Sequence, residues 1–224
     1  MKSLFIVLLL FLLSACVDVE GLNPFFIKTV DDIKISANYY SSFTSKSIIL
    51  LHMLNGEKND WNTLIPFLRE AGYHVISIDL RGHGFSDLKW EQFSSNDFNK
   101  MIMDVEAASK FLKAKGVKDI NIIGASIGAN IALKYASKNE YVKNLVLLSP
   151  GMNYRGVSIV ESIKNYKNPI LIINSEQDNL DEVERIYELV VGEKKLQLYS
   201  GSQHGTKMLS SDGLNDLILN WLNS

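Results

Sequence analysis

At 224 residues the chain is long enough for one ordinary domain with a full hydrophobic core. Lys and Arg number 23 against 25 Asp and Glu, a net charge of −2 at pH 7 with no block of like charges, which argues against a nucleic-acid partner. A single cysteine, Cys16, excludes an internal disulfide.

Residues 1–15 read as an export leader rather than as part of the fold. Lys2 gives a positive start, and Leu4 to Leu13 is an unbroken apolar run, too short to span a bilayer but suited to a signal-peptide core. Leu13-Ser14-Ala15-Cys16 resembles the lipobox of bacterial lipoproteins, which implies diacylation of Cys16 and cleavage before it. On that expectation residues 16–23 form a tether to a membrane outside the cytoplasm, in a bacterial cell envelope, and residues 24–224 form the folded domain.

Phe25 to Val30 and Ile33 to Tyr40 have strand character and are joined across Asp31-Asp32, as in a tight antiparallel hairpin. Ser47 to Leu54 is a continuous apolar run, as expected of a strand buried on both faces, and Asn55-Gly56 ends it. Trp61 to Ala71 predicts a helix closed by Gly72, and His74 to Leu80 the next strand. Phe98, Met101, Ile102, Val105 and Leu112 form one stripe of a long helix ending at Gly116.

Asp119 to Ala136 predicts a short apolar strand, a turn at Gly124-Ala-Ser126-Ile-Gly128, and a helix from Ile127. Val142 to Ser149 and Pro169 to Asn174 are further strands, Leu180 to Val191 a helix, and Lys195 to Tyr199 the last strand. A terminal helix carries Leu214, Leu217, Ile218, Trp221 and Leu222 on one stripe. After the opening hairpin, strands and helices alternate, which implies an α/β fold with a mostly parallel sheet covered by helices on both faces.

A strand passing directly into a helix turns sharply at its middle residue, and side chains two positions either side would collide. Glycine at 124 and 128 removes that collision and leaves the Ser126 hydroxyl at the tip. A dinucleotide fingerprint would need Gly-x-Gly-x-x-Gly, but Ser126 and Ala129 hold the second and third glycine positions.

A serine nucleophile needs a base, and the base an acid that holds its tautomer. In an open parallel sheet such groups lie where strands end at their carboxyl edge. Of four histidines, His74 starts its strand at the wrong edge, and His52 is committed inside the sheet. His83, in a Gly-flanked loop at the correct edge, is a candidate to line the site. His204, in the loop between the last strand and the last helix, is the strongest candidate for the base.

For the acid, Ser175-Glu176-Gln177-Asp178 follows the Pro169–Asn174 strand. Asp178 is preferred because a carboxylate four residues past the strand end can turn back toward a histidine in the next loop. Glu176 and Asp181 are weaker candidates. A tetrahedral intermediate also needs two N–H donors: Ile127 supplies one, and Leu54 or Met53 the other.

These segments together resemble the α/β-hydrolase family over nearly all of residues 24–224. Leu50 to Gly56 is similar to its oxyanion stretch, and Asp79-Leu-Arg-Gly-His-Gly-Phe-Ser86 to its familiar loop. Gly124 to Gly128 is similar to its nucleophile elbow, and Ser175 to Asp178 and Gln203-His204-Gly205 to its acid and histidine segments. Met53 and Ser175 stand where the family commonly has glycine. Gly151 to Asn168 is too short for the lid domain of many relatives, which implies an open site with Met152, Tyr154, Val157 and Ile159 as rim candidates.

The reading that follows is a lipid-anchored serine hydrolase cleaving carboxylic esters or thioesters, small or lipidic, through Ser126, His204 and Asp178. Met53, His83 and Tyr154 are the candidates for substrate contact, and no metal or cofactor is expected. The alternatives are a binding lipoprotein that keeps the fold without turnover, or a serine peptidase.

Overall fold

The computed structural model describes residues 25–223, so the leader, the tether and Cys16 lie outside the described residues. Eight strands form one sheet in the order β1-β2-β4-β3-β5-β6-β9-β10. They are β1 (Phe25–Lys28), β2 (Lys34–Tyr40), β3 (Lys46–Leu51), β4 (His74–Ile78), β5 (Asp119–Ala125), β6 (Val142–Leu148), β9 (Ile170–Ser175) and β10 (Lys194–Tyr199). The pairs β1–β2 and β2–β4 are antiparallel, and every other pairing in the sheet is parallel. A smaller hairpin pairs β7 (Asn153–Tyr154) with β8 (Val157–Ser158).

The central strands are buried on both faces, and their alternation divides the core in two. Ile49 and Leu51 of β3, with Ile120 and Ile122 of β5, face α3 (Ile102–Ala114) and α4 (Ile127–Ala136). Ile48 and Leu50, with Ile123 and Ala125, face α1 (Ile65–Glu70) and α7 (Leu214–Leu222). Every parallel strand therefore delivers its carboxyl end to one shared edge, and that edge carries the loops of interest.

Several elements differ in extent from the sequence expectation. The segment expected to be one helix from Trp61 starts as a 3-10 turn, Lys58–Trp61, and becomes α-helical only at Ile65, with Pro66 in the first turn. That turn is held from outside. The buried Asp79 carboxylate accepts Lys58 N–H at 2.7 Å and pairs with the Lys58 ammonium at 2.7 Å. The strand expected to reach Leu54 ends at Leu51, because the next three residues turn out of the sheet.

The long helix expected over Phe98–Leu112 breaks at Met101 into α2 (Ser95–Lys100) and α3. Ser94 and Asp97 form a capping box that starts α2, and the buried Met101 both ends α2 and begins α3. The lid-position segment holds the β7–β8 hairpin and α5 (Val160–Asn165). Two rim candidates are corrected here: Val157 and Ile159 are fully buried in the core, because the hairpin folds back onto α4.

Candidate active site

Ser126 stands at φ 53°, ψ −119°, between the end of β5 and the first residue of α4. That geometry needs close backbone contact on both sides. A Cβ on Gly124 would overlap the Gly128 carbonyl, and one on Gly128 would overlap the Leu51 and His52 carbonyls. The two glycines thus seat the start of α4 directly against the end of β3. Ser126 N–H donates to Leu148 O at 2.8 Å, which holds the elbow to the neighbouring strand.

The Ser126 hydroxyl lies 2.8 Å from His204 Nε2, and His204 Nδ1 lies 2.7 Å from Asp178 Oδ2. An ionised carboxylate can only accept, so the Nδ1 position carries the proton and Nε2 is left to accept from the serine. The three residues come from the ends of β5, β9 and β10, and they are 78 and 26 positions apart in sequence. Neither Glu176 nor Asp181 takes the place opposite His204.

Polar side chains at the strand ends, whose partners the sequence does not show, hold this arrangement. Ser175 Oγ donates to Gln203 O at 2.7 Å, tying the acid loop to the histidine loop, so the residue standing where glycine is common has a function of its own. Ser149 Oγ accepts Gly205 N–H at 3.0 Å, fixing the backbone just after His204. Asn174 Nδ2 donates to Asp178 O at 2.5 Å and to Ser175 O at 2.9 Å, closing the acid loop. Short polar side chains at strand ends were the available signal, and their partners lie too far along the chain to be read locally.

Met53 is half-buried and leans on Gly205, where an added Cβ would sit 2.9 Å from its sulfur. Met53 is therefore accommodated because the facing position is glycine, at φ +58°. The Met53 carbonyl meets His52 Nδ1 at 2.7 Å and accepts Gly56 N–H at 3.0 Å. In a trans peptide the C=O and N–H point opposite ways, so pinning this carbonyl fixes the direction of the Leu54 N–H. Ile127 N–H lies at the positive end of α4.

His52 is fully buried, and its Nε2 accepts Leu80 N–H at 3.0 Å, so its proton sits on Nδ1, toward Met53 O. Burial, then the neighbouring His83, pushes its pKa down to about 4. Below its usual 6.5 the unfolded chain binds the proton more readily. Stability is therefore full above pH 6.5 and falls as pH drops from there through about 4, because the unfolded chain takes up a proton that the buried ring refuses. Ring ¹⁵N shifts are expected to show the neutral Nδ1–H tautomer from pH 8 down to 5, and a half-protonated ring near pH 6.5 would contradict this.

The other histidines fall elsewhere. His74 bonds Tyr39 Oη at 2.8 Å and Thr44 O at 2.9 Å, a structural position. His83 is buried, with Nδ1 3.1 Å from Arg81 O, its ring stacked on Trp90 and its centroid 4.9 Å from that of His52. Burial holds its pKa down. Tyr154 does reach the site: its ring stands edge-on to His204, centroids 6.2 Å apart.

A family model described as alpha/beta hydrolase fold matches residues 46–162. Among curated proteins, the chain is 25% identical over 128 residues to the monoacylglycerol lipase abhd6-B of Xenopus laevis. It is 31% identical over 166 residues to a tear acid lipase-like protein of Mesocricetus auratus. These alignments take in 52% and 65% of this chain but only 36% and 42% of those proteins.

Among solved structures, an esterase from Pyrococcus furiosus superposes with a TM-score of 0.77 at 21% identity, covering 90% of this chain and 89% of that one. An esterase from Exiguobacterium antarcticum gives 0.74 at 17%, covering 90% and 100%. At those identities the superpositions speak for the fold alone. With the family model spanning more than half of the sequence, and the sheet order and elbow described above, the chain belongs to the α/β-hydrolase fold family.

Proposed function

We propose that this protein is a serine hydrolase of acyl esters or thioesters. The observation that carries the reading is the unbroken hydrogen-bond chain from the Ser126 hydroxyl through His204 to Asp178. Ser126 Oγ attacks the acyl carbonyl as its proton passes to His204 Nε2, and Asp178 stabilises the resulting imidazolium. The Ile127 and Leu54 N–H groups hold the oxyanion. His204 then gives the proton to the departing alkoxide or thiolate. Water, deprotonated by the same imidazole, attacks the acyl-enzyme carbonyl; the Ser126 Oγ–acyl bond breaks, His204 returns the proton to Ser126, and the acyl group leaves as the carboxylic acid.

Support for an ester comes from the lipases among the relatives; the fold by itself does not choose the substrate, because one fold hosts many activities. The test is a panel of acyl esters, acyl thioesters and peptide amides. Ester or thioester turnover exceeding amide turnover is the expected result. A preference for amides would make the protein a peptidase, and turnover of none of the three would leave a binding protein.

The envelope anchor is part of the same proposal and rests on the sequence around Cys16. Cys16→Ser is expected to move the protein from the membrane fraction to the soluble fraction. An unchanged membrane fraction would remove the anchor from the account.

A further inference from the structure

The β7–β8 hairpin lies between β6 and β9, beside the proposed nucleophile, and it is firmly held. Its turn uses Arg155 at φ 54° and Gly156 at φ 86°, two successive left-handed residues that close a tight antiparallel pair. Asn130, on the helix that begins at the nucleophile elbow, clamps both of its arms. Asn130 Nδ2 donates to Gly151 O at 2.8 Å and to Val157 O at 2.9 Å, while its Oδ1 accepts Gly151 N–H at 3.2 Å. Asn99 Nδ2 donates to Gly156 O at 3.0 Å, and Met152 N–H donates to Glu182 at 2.7 Å. The hairpin is therefore tied to the same helix as Ser126 and cannot swing independently of it.

Tyr154 is the residue this hairpin delivers. The hydroxyl end of its ring packs on Gly151, where an added Cβ would sit 2.6 Å from Cζ, so glycine admits the ring in this position. Its hydroxyl donates to Ser149 O at 3.3 Å, at the end of β6, and its ring edge meets His204. Burial, then the charges of Asp178 and Glu182, push the phenol up to about 12, so it stays protonated at neutral pH.

We infer that Tyr154 is a specificity-determining residue: its fixed ring is the wall beside Ser126 and His204 that limits the size of the acyl group the serine can carry. A substituent on Ser126 growing toward the end of β6 would meet this ring; Asn130 holds the hairpin backbone that carries it, and the Gly151 contact and the hydroxyl bond to Ser149 O hold the ring itself. Preorganised walls of this kind discriminate by size more sharply than mobile ones.

The inference rests on the serine-hydrolase reading, and its test separates the two. The probes are p-nitrophenyl esters from acetyl to dodecanoyl, and the measured quantity is kcat/KM for octanoate divided by that for acetate. Tyr154→Ala is expected to raise this ratio by about tenfold or more, and Tyr154→Phe, which keeps the ring, to leave it within about twofold. Tyr154→Trp, a second variant should the alanine protein not fold, is expected to lower it. An unmoved ratio in the alanine and tryptophan proteins, or a phenylalanine protein that shifts as far as alanine, overturns the inference while acetate turnover sensitive to Ser126→Ala keeps the hydrolase reading. Absence of any ester turnover in the unaltered protein overturns both.

Discussion

Ser126→Ala is expected to reduce kcat on an acyl ester by on the order of 10⁵- to 10⁶-fold while leaving the protein folded. The loss is large because, among the described residues, the Ser126 hydroxyl is the nucleophile hydrogen-bonded to His204 Nε2. The hydroxyl alone is seated against His204 Nε2 at 2.8 Å, at the tip of an elbow built by two glycines. The fold is spared because what holds the elbow is backbone: Ser126 N–H on Leu148 O, and the Gly128 approach to Leu51 and His52. Alanine has the same Cβ as serine and makes no greater demand on φ 53°. Thermal midpoints of the two proteins within a few degrees, together with the kinetic loss, are the check.

Asp178→Asn is expected to cost about 10⁴-fold in kcat. The amide is nearly the same size, so the loops tied by Ser175 to Gln203 and by Asn174 to Asp178 O remain in place. What changes is the proton. An asparagine NH₂ donates to Nδ1, which moves the imidazole proton to Nε2, the atom that must receive the serine's proton. The imidazolium formed on attack also loses its countercharge. Steady-state kinetics of a well-folded asparagine protein decide this, and a loss of under tenfold would remove Asp178 from the proposed chemistry.

The layering of the sheet was legible in the sequence because continuous apolar runs such as Ser-Ile-Ile-Leu-Leu at 47–51 are strands buried on both faces. The positions of Ser126, Asp178 and His204 were legible for a topological reason: parallel strands deliver their carboxyl ends to one edge, and only a few chemically competent residues follow those ends. Interruptions were less visible. The break at Met101 lies inside an unbroken apolar stripe, where helical periodicity gives no reason to stop, and the local cap at Ser94 marks only the beginning of α2.

Tertiary hydrogen bonds were hidden for a different reason. Asn130 reads as an ordinary helix residue until the hairpin it clamps, 21 and 27 positions away, is in place. Val157 and Ile159 looked like rim residues because a short insertion at a lid position is expected to stand clear of the sheet. Here Asn130 draws the hairpin down onto α4, and both side chains enter the core. His83 sits at the predicted edge, yet its ring turns inward against Trp90 and His52, a choice that rotamer packing makes and chain position does not.

Treatment of the folded protein with a fluorophosphonate, followed by peptide mapping, tests the central claim most directly, because the reagent phosphonylates a serine only where a base has activated it. One adduct per chain is expected, on the peptide carrying Ser126, absent from Ser126→Ala and strongly slowed in Asp178→Asn. No adduct on the folded protein, or equal labelling of Ser126→Ala, would contradict the account.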